Sequence, residues 1–145
     1  MKIRRIVPLT AVGVLAAGAF LPAAAAPAKP ITKSYSMELL PGGAASCAEA
    51  DGEGVTVHTE TFKASGPGKL VAKITGFEGD WDLALLNGDN VKLADGGGSA
   101  ADQPKAGPTE NLIFKIKKAG TYKVSSCNYA GTLEAKGTFT FSPGK

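Results

Sequence analysis

The sequence predicts an all-β protein, an antiparallel β-sandwich with jelly-roll character built from about seven or eight short strands. Two observations predict this fold class. Apolar and polar residues alternate with a period of two in short runs, and turns rich in Gly, Pro or Asn end these runs at regular spacing. A third observation, a single pair of cysteines in a chain that we expect to be exported, adds one disulfide to the fold.

The first three predicted strands are separated by turns. Residues 31–40 and 55–64 each end at a stretch rich in glycine and proline, at 41–43 and 65–68. The third strand, at residues 70–77, alternates more clearly than the first two. Its expected inward face is formed by Leu70, Ala72 and Ile74.

The segment 81–93 predicts a β-hairpin. The Asn-Gly-Asp sequence at 87–89 is a strong turn signal, because Asn and Gly tolerate positive φ. Apolar residues alternate with polar ones on both sides of this turn. We expect these apolar residues to build core: Trp81, Leu83, Leu85, Val91 and Leu93.

Three more strands are predicted at residues 111–118, 121–127 and 132–142. A stretch rich in Gly, Ala and Pro, from 95 to 109, precedes them, and we expect a mobile loop there. The side chains expected to face inward are Leu112, Phe114, Ile116, Tyr122, Val124, Phe139 and Phe141.

Residues 1–25 have the pattern of a bacterial Sec-type signal peptide. A basic start precedes an apolar run at 6–21, which Pro and several Ala residues follow. We expect cleavage between residues 25 and 28, a flexible leader at 26–30 and a single domain at 31–145. The apolar run is short for a transmembrane helix, so we expect a secreted protein with no membrane span after cleavage. The alternative is a retained membrane anchor.

Removal of this segment changes the charge of the protein. The full chain has 16 Lys+Arg and 13 Asp+Glu, a net charge of +3. Lys2, Arg4 and Arg5 lie in the predicted signal peptide, which leaves 13 basic and 13 acidic residues. A domain of zero net charge lacks the electrostatic footprint of a nucleic-acid-binding protein, so we expect no nucleic-acid partner.

Cys47 and Cys127 are the only cysteines of the chain. In an exported protein an even pair predicts a disulfide. Closing a loop of about 80 residues would stabilise the fold by roughly 4 kcal/mol in the chain-entropy model. The alternatives are two free thiols or a metal pair, although no second Cys or His stands at ligand spacing from either one.

Three short motifs carry a resemblance to a known family. They are GDWDL at 79–83, AGTY at 119–122 and CNYAG at 127–131. With them, the segment 62–141 resembles the bacterial pre-peptidase C-terminal domain family. The resemblance implies a secreted β-sandwich that acts as a non-catalytic accessory or binding module. Relatives usually follow exported proteases, and some bind calcium or fibrous substrates such as collagen. No catalytic domain precedes the segment here, so we expect a stand-alone variant.

Two other functions stay open. One is a structural envelope or secreted protein with a protein partner. The other follows from segment 119–141, which also resembles the C-terminal part of a cupredoxin. A blue-copper site needs two His and a Cys, and this chain has only His58, so at most the scaffold is shared.

An enzyme is not expected from the inventory of catalytic residue types. Acid–base or nucleophilic catalysis would need a base beside a nucleophile, and the sequence contains no nucleophile motif. His58, the single imidazole, is predicted on an exposed strand face, because Val55 and Val57 alternate with it.

Two acidic clusters are candidate calcium sites. Asp80 and Asp82 flank Trp81, so both carboxylates should lie on the face opposite the core. Asn87, Asp89 or Asp95, from adjacent turns, would complete an oxygen-rich site. The alternative is that these acids cap turns.

The second acidic cluster contains Glu49 and Asp51 and follows Cys47. Calcium is again one interpretation. A solvated loop is the other.

A ligand surface is predicted at Tyr129 and at a group of lysines that we expect on adjacent strands of one outward face. Such a face would attract an acidic extracellular polymer or a protein partner. The alternatives are local packing for the tyrosine and protection of an edge strand by the lysines. The lysines are Lys115, Lys117, Lys118 and Lys123.

Overall fold

The computed structural model describes residues 28–42, 47, 54–96 and 109–144. Within these ranges it contains two antiparallel sheets of four strands each, with no helix. The predicted all-β sandwich is therefore confirmed. In the same ranges no helix is long and apolar enough to span a membrane. The predicted signal peptide, most of the 95–109 loop, Glu49 and Asp51 lie outside the described residues.

Each predicted strand is present, with boundaries that differ by a few residues. In spatial order, the first sheet consists of β1 (Ile31–Glu38), β8 (Glu134–Pro143), β3 (Gly68–Thr75) and β6 (Thr109–Ile116). The second sheet consists of β2 (Val57–Ala64), β7 (Gly120–Gly131), β4 (Gly79–Asn87) and β5 (Lys92–Asp95).

The main core lies between the inner faces of the two sheets. Successive strand side chains point to opposite faces, so the period-two alternation places every second residue inside. Trp81 is 1% exposed, and its indole N–H donates a hydrogen bond to the Thr132 carbonyl at 3.2 Å. The largest of the other side chains that are fully buried in this core are Phe139, Phe141, Leu70, Ile74, Leu83, Leu85, Leu112 and Ile116.

The prediction for Val91 and Leu93 is wrong. Their exposed fractions are 56% and 38%, so neither builds core. Val91 precedes β5 and lies in the turn, where its carbonyl accepts a hydrogen bond from the Asn87 N–H at 3.0 Å. For Leu93 the reason is a register shift: Leu85 pairs with Ala94, but Leu86 pairs with Lys92, which leaves Leu93 as an extra residue. Such a bulge changes which residues face inward, and Ala94 packs against the core instead.

A second, smaller apolar cluster lies on the outer face of the second sheet. The predicted disulfide joins Cys47 to Cys127 with a Cα–Cα distance of 5.4 Å, within the normal range, and is confirmed. Val57, Ala84 and Leu86 are buried with the two cysteines. The disulfide therefore covers part of a face that would otherwise expose apolar side chains.

Candidate functional site

Four acidic residues lie along one open edge of the sandwich, where β6 approaches β4 and β5. Asp80 and Asp82 project from β4 on the side opposite Trp81, as the alternation predicts, and Asp95 pairs with Ala84 from the neighbouring strand. Glu110 comes from β6, on the other sheet. These four residues are called the acidic edge below.

Glu110 is the most unusual member of the acidic edge. Its side chain shares the inner face of β6 with Leu112 and is only 5% exposed. Its Oε2 atom is buried and has no hydrogen-bond partner in the described part of the chain. Burial, with added repulsion from Asp82 and Asp80, raises the pKa of Glu110 to about 7. The sequence analysis did not identify Glu110 as a site residue. Its position two residues before Leu112 on the same strand would have predicted an inward-facing side chain.

The same negative charges act on two predicted site residues. Burial and the charges of Asp80 and Asp95 raise the pKa of Asp82. Burial also raises the pKa of Tyr129, and Asp82 adds to that shift. Tyr129 is half-buried and packs against the cluster around the disulfide, so it is not a fully exposed platform.

The acids of the described ranges are not already gathered into a metal site: no group of three or more His, Cys, Asp or Glu there is arranged to hold an ion. Asp89 lies in the turn after β4, where the Asn87 Oδ1 atom accepts hydrogen bonds from the N–H groups of Asp89 and Val91, each at 2.9 Å. Asp89 follows Asp82 after six intervening residues of strand and turn, a distance on the order of 20 Å. The structure therefore does not bring Asp89 to the acidic edge.

The opposite open edge, between β1 and β2, holds a group of paired polar side chains. Glu60 accepts hydrogen bonds from the Lys33 ammonium and, at 3.1 Å, from the His58 Nε2 atom. The Tyr35 ring stacks on His58 with a centroid distance of 5.1 Å. The Tyr35 and Ser126 hydroxyls are hydrogen-bonded at 3.2 Å. These five residues are called the paired edge below.

The predicted exposed position of His58 is wrong. His58 has the same parity as Glu60 and Phe62 on β2, so it faces inward, and its side chain is 30% exposed. Val57 misled the sequence interpretation, because it is buried on the outer face beneath the disulfide. When an apolar residue lies on the outer face of a strand, the alternation pattern assigns the wrong face to the core.

The partners at the paired edge determine the pKa of Glu60. Burial alone would raise it, but hydrogen bonds from Lys33 and His58, together with their charges, outweigh burial and lower it. Burial raises the pKa of Tyr35 despite its hydrogen bond to Ser126.

A third feature is the outer face of the first sheet. Across the β3–β6 ladder Lys69 lies opposite Lys115, and Val71 lies opposite Ile113. Lys73 continues the same face, and all five side chains are exposed. These five residues are called the lysine face below.

The lysines predicted on one face are divided between the two sheets. Lys115 is on β6, and the exposed Lys117 is the first residue after the end of this strand. Lys123 is on β7 in the second sheet, where its ammonium donates a hydrogen bond to the Asn90 Oδ1 atom at 2.6 Å. The strands β6 and β7 are consecutive in sequence, but the connection at Lys118 crosses from one sheet to the other.

A groove of about 640 Å³ lies at the end of the lysine face. Lys69, Ile113 and Lys115 line it together with less polar residues from three strand ends. Those residues are Pro67, Phe114 and Pro143.

These features define a two-sheet β-sandwich domain with one disulfide. The chain is similar to the crystal structure of the pre-peptidase C-terminal domain of collagenase from Bacillus anthracis, with 16% sequence identity. The similarity covers 77% of this chain and 86% of that chain, with a TM-score of 0.44. This is the class of domain that the sequence motifs resemble. No protein-family model and no curated protein matches the sequence.

Proposed function

We propose that this chain is an exported, non-catalytic binding module. The observation that carries the proposal is how the polar side chains are distributed. His58 and Glu60 bind each other inside the paired edge, and the Ser126 hydroxyl is fully buried against Tyr35. Residue types suited to catalysis therefore serve internal structure here, whereas the lysine face presents its side chains to solvent.

The disulfide supports the exported part of the proposal. Disulfides persist in oxidising compartments and are rare where thiols are kept reduced. The Cys47–Cys127 bond is consistent with the signal peptide that the first 25 residues predict. A structural secreted protein with a protein partner is the alternative function.

The test uses the full chain expressed in a bacterial host. We expect the protein outside the cytoplasm, with its N-terminus trimmed near residues 26–29 and the disulfide formed. We expect the collected protein to sediment with at least one of collagen, chitin, cellulose or cell wall. A reduced protein retained in the cytoplasm would contradict export. Substrate turnover that His58→Ala abolishes would contradict the non-catalytic assignment.

We also propose calcium binding at the acidic edge as a second function. The observation that favours it is the buried Glu110 Oε2 atom, which lacks a hydrogen-bond partner in the described residues. The negative charges of Asp82 and Asp80 also repel the Glu110 carboxylate. Ca²⁺ takes carboxylate oxygens and would offset that repulsion. Because these acids are not already gathered around one point, binding would have to draw Asp80 and Asp82 towards Glu110.

Thermal unfolding in calcium and in EGTA tests this second function. A ligand that binds only the folded state raises its stability, so saturating calcium should raise Tm by about 5 °C. Asp80→Asn/Asp82→Asn should remove the shift, whereas the matched pair Glu49→Gln/Asp51→Asn should retain it. If the second pair alone removes the shift, the site lies in the other cluster. An unchanged Tm in the parent protein would contradict calcium binding.

A further inference from the structure

The lysine face concentrates positive charge on a domain whose predicted mature form has no net charge. Lys69 and Lys115 lie directly opposite each other, an arrangement of like charges that destabilises a sheet. Lys73 is four residues further along β3. No acidic residue lies on the outer face of the described strands in the rows of these lysines.

Protection of a sheet edge does not explain this arrangement. Edge lysines discourage pairing with another strand, and Lys115 on the edge strand β6 fits that role. However, Lys69 and Lys73 lie on β3, which is paired on both sides with β6 and β8. Their charges therefore do not protect an edge. An anion bound from solution would offset the repulsion between these lysines and Lys115.

The surroundings of the lysines restrict the kind of anion. Between the lysines lie the exposed Val71 and Ile113, which are 38% and 66% exposed. In the same rows the neighbouring strands β8 and β1 present hydroxyl groups. These hydroxyl residues are Ser34, Thr138 and Ser142, together with Thr32 and Thr140, whose hydroxyl groups hydrogen-bond each other at 3.1 Å.

We propose that the lysine face and its groove bind an acidic polysaccharide, a chain of sugar rings that carries carboxylate or sulfate groups. This inference rests on the proposed function as a binding module and names the ligand class. The lysines pair with the anionic groups, Val71 and Ile113 contact the C–H faces of the rings, and the threonines hydrogen-bond the sugar hydroxyls. Lys69 and Lys73 are about 13 Å apart along β3, so the ligand is an extended chain with separated charges.

Other polyanions match this surface less well. Single-stranded nucleic acid is bound through aromatic stacking and arginine, and the outer face of the described first sheet presents neither. Membrane surfaces are bound by broad apolar faces with interfacial aromatic residues, whereas this face exposes two aliphatic side chains.

The test measures binding of the exported protein to polygalacturonate and heparin, with neutral dextran as the uncharged control. Lys69→Gln/Lys115→Gln should weaken binding about tenfold. The matched pair Lys63→Gln/Lys123→Gln removes the same charge from the second sheet and should change affinity less than about twofold. Ile113→Ser, which changes an exposed side chain without changing charge, should also weaken binding. The melting temperature of each variant verifies its folding.

Several results would overturn the inference. Equal losses from the two lysine pairs would indicate general charge attraction. Tighter binding to poly-glutamate or to anionic phospholipid vesicles than to both polysaccharides would assign another ligand class. If the protein sediments with a neutral polymer and the lysine variants bind it normally, the proposed function stands and this inference fails. If it binds none of the polymers, both fail.

Discussion

The two open edges of the sandwich each bury one glutamate, and they surround it in opposite ways. At the paired edge, Glu60 is 8% exposed and accepts hydrogen bonds from Lys33 and His58. At the acidic edge, Glu110 is 5% exposed, and the charges that act on it are those of Asp82 and Asp80. The pKa of Glu60 is lowered, whereas that of Glu110 is raised to about 7.

The comparison shows that burial alone does not determine what a carboxylate contributes to the fold. A buried charge costs free energy unless a partner compensates for it. Glu60 has such partners, and its bond to Lys33 links β1 of one sheet to β2 of the other. Glu110 has no such compensation in the described residues. Strongly perturbed carboxyl groups are concentrated at functional sites, so the acidic edge is the better candidate for a site that responds to an external ligand.

The largest effect is expected from Glu110→Gln, which removes the uncompensated charge. The pKa of Glu110 is about 7 in the folded protein against 4.5 for an ordinary glutamate. Between these values the folded state holds more protons than the unfolded state, so stability falls as pH rises through this window. The variant should therefore be more stable than the parent by up to about 3 kcal/mol at about pH 8. The gain should be absent at about pH 4.

Denaturant unfolding at the two pH values measures this difference. Glu78→Gln, a change at an exposed glutamate, is the control and should have little effect at either pH. A gain for Glu110→Gln that is the same at both pH values would show that the charge is not its origin. In saturating calcium the gain at about pH 8 should shrink if the acidic edge binds the ion.

Alternation along the chain predicted most of the fold, because strand parity is a local property. It placed Trp81, Leu83 and Leu85 inside correctly. It failed at Leu93, where a bulge shifts the register, and at His58, whose neighbour Val57 is buried under a distant disulfide. Both failures depend on contacts between segments far apart in sequence, which periodicity does not encode.

The two edges were harder to predict than the core for the same reason. Asp80 and Asp82 stand out in the sequence because they flank the only Trp. Glu110 does not, since its significance arises only when β6 is placed beside β4 and β5. Similarly, Lys33 and Glu60 meet because β1 and β2 form the same open edge of two different sheets.

A smaller effect of opposite sign is expected from Glu60→Gln at the paired edge. The amide keeps the size of the side chain and still accepts a hydrogen bond, but it loses the charge that Lys33 and His58 compensate. Lys33 is half-exposed, so solvent screens this pair, and we expect a loss of about 1 kcal/mol at about pH 7. The folded pKa of Glu60 is lowered, so its contribution is present above the ordinary value of 4.5 and is lost as pH falls below it. Parent and variant should therefore converge under acidic conditions in the same unfolding assay. A difference that persists there would assign the role of Glu60 to packing, and the contrast between the two edges would no longer be one of charge compensation.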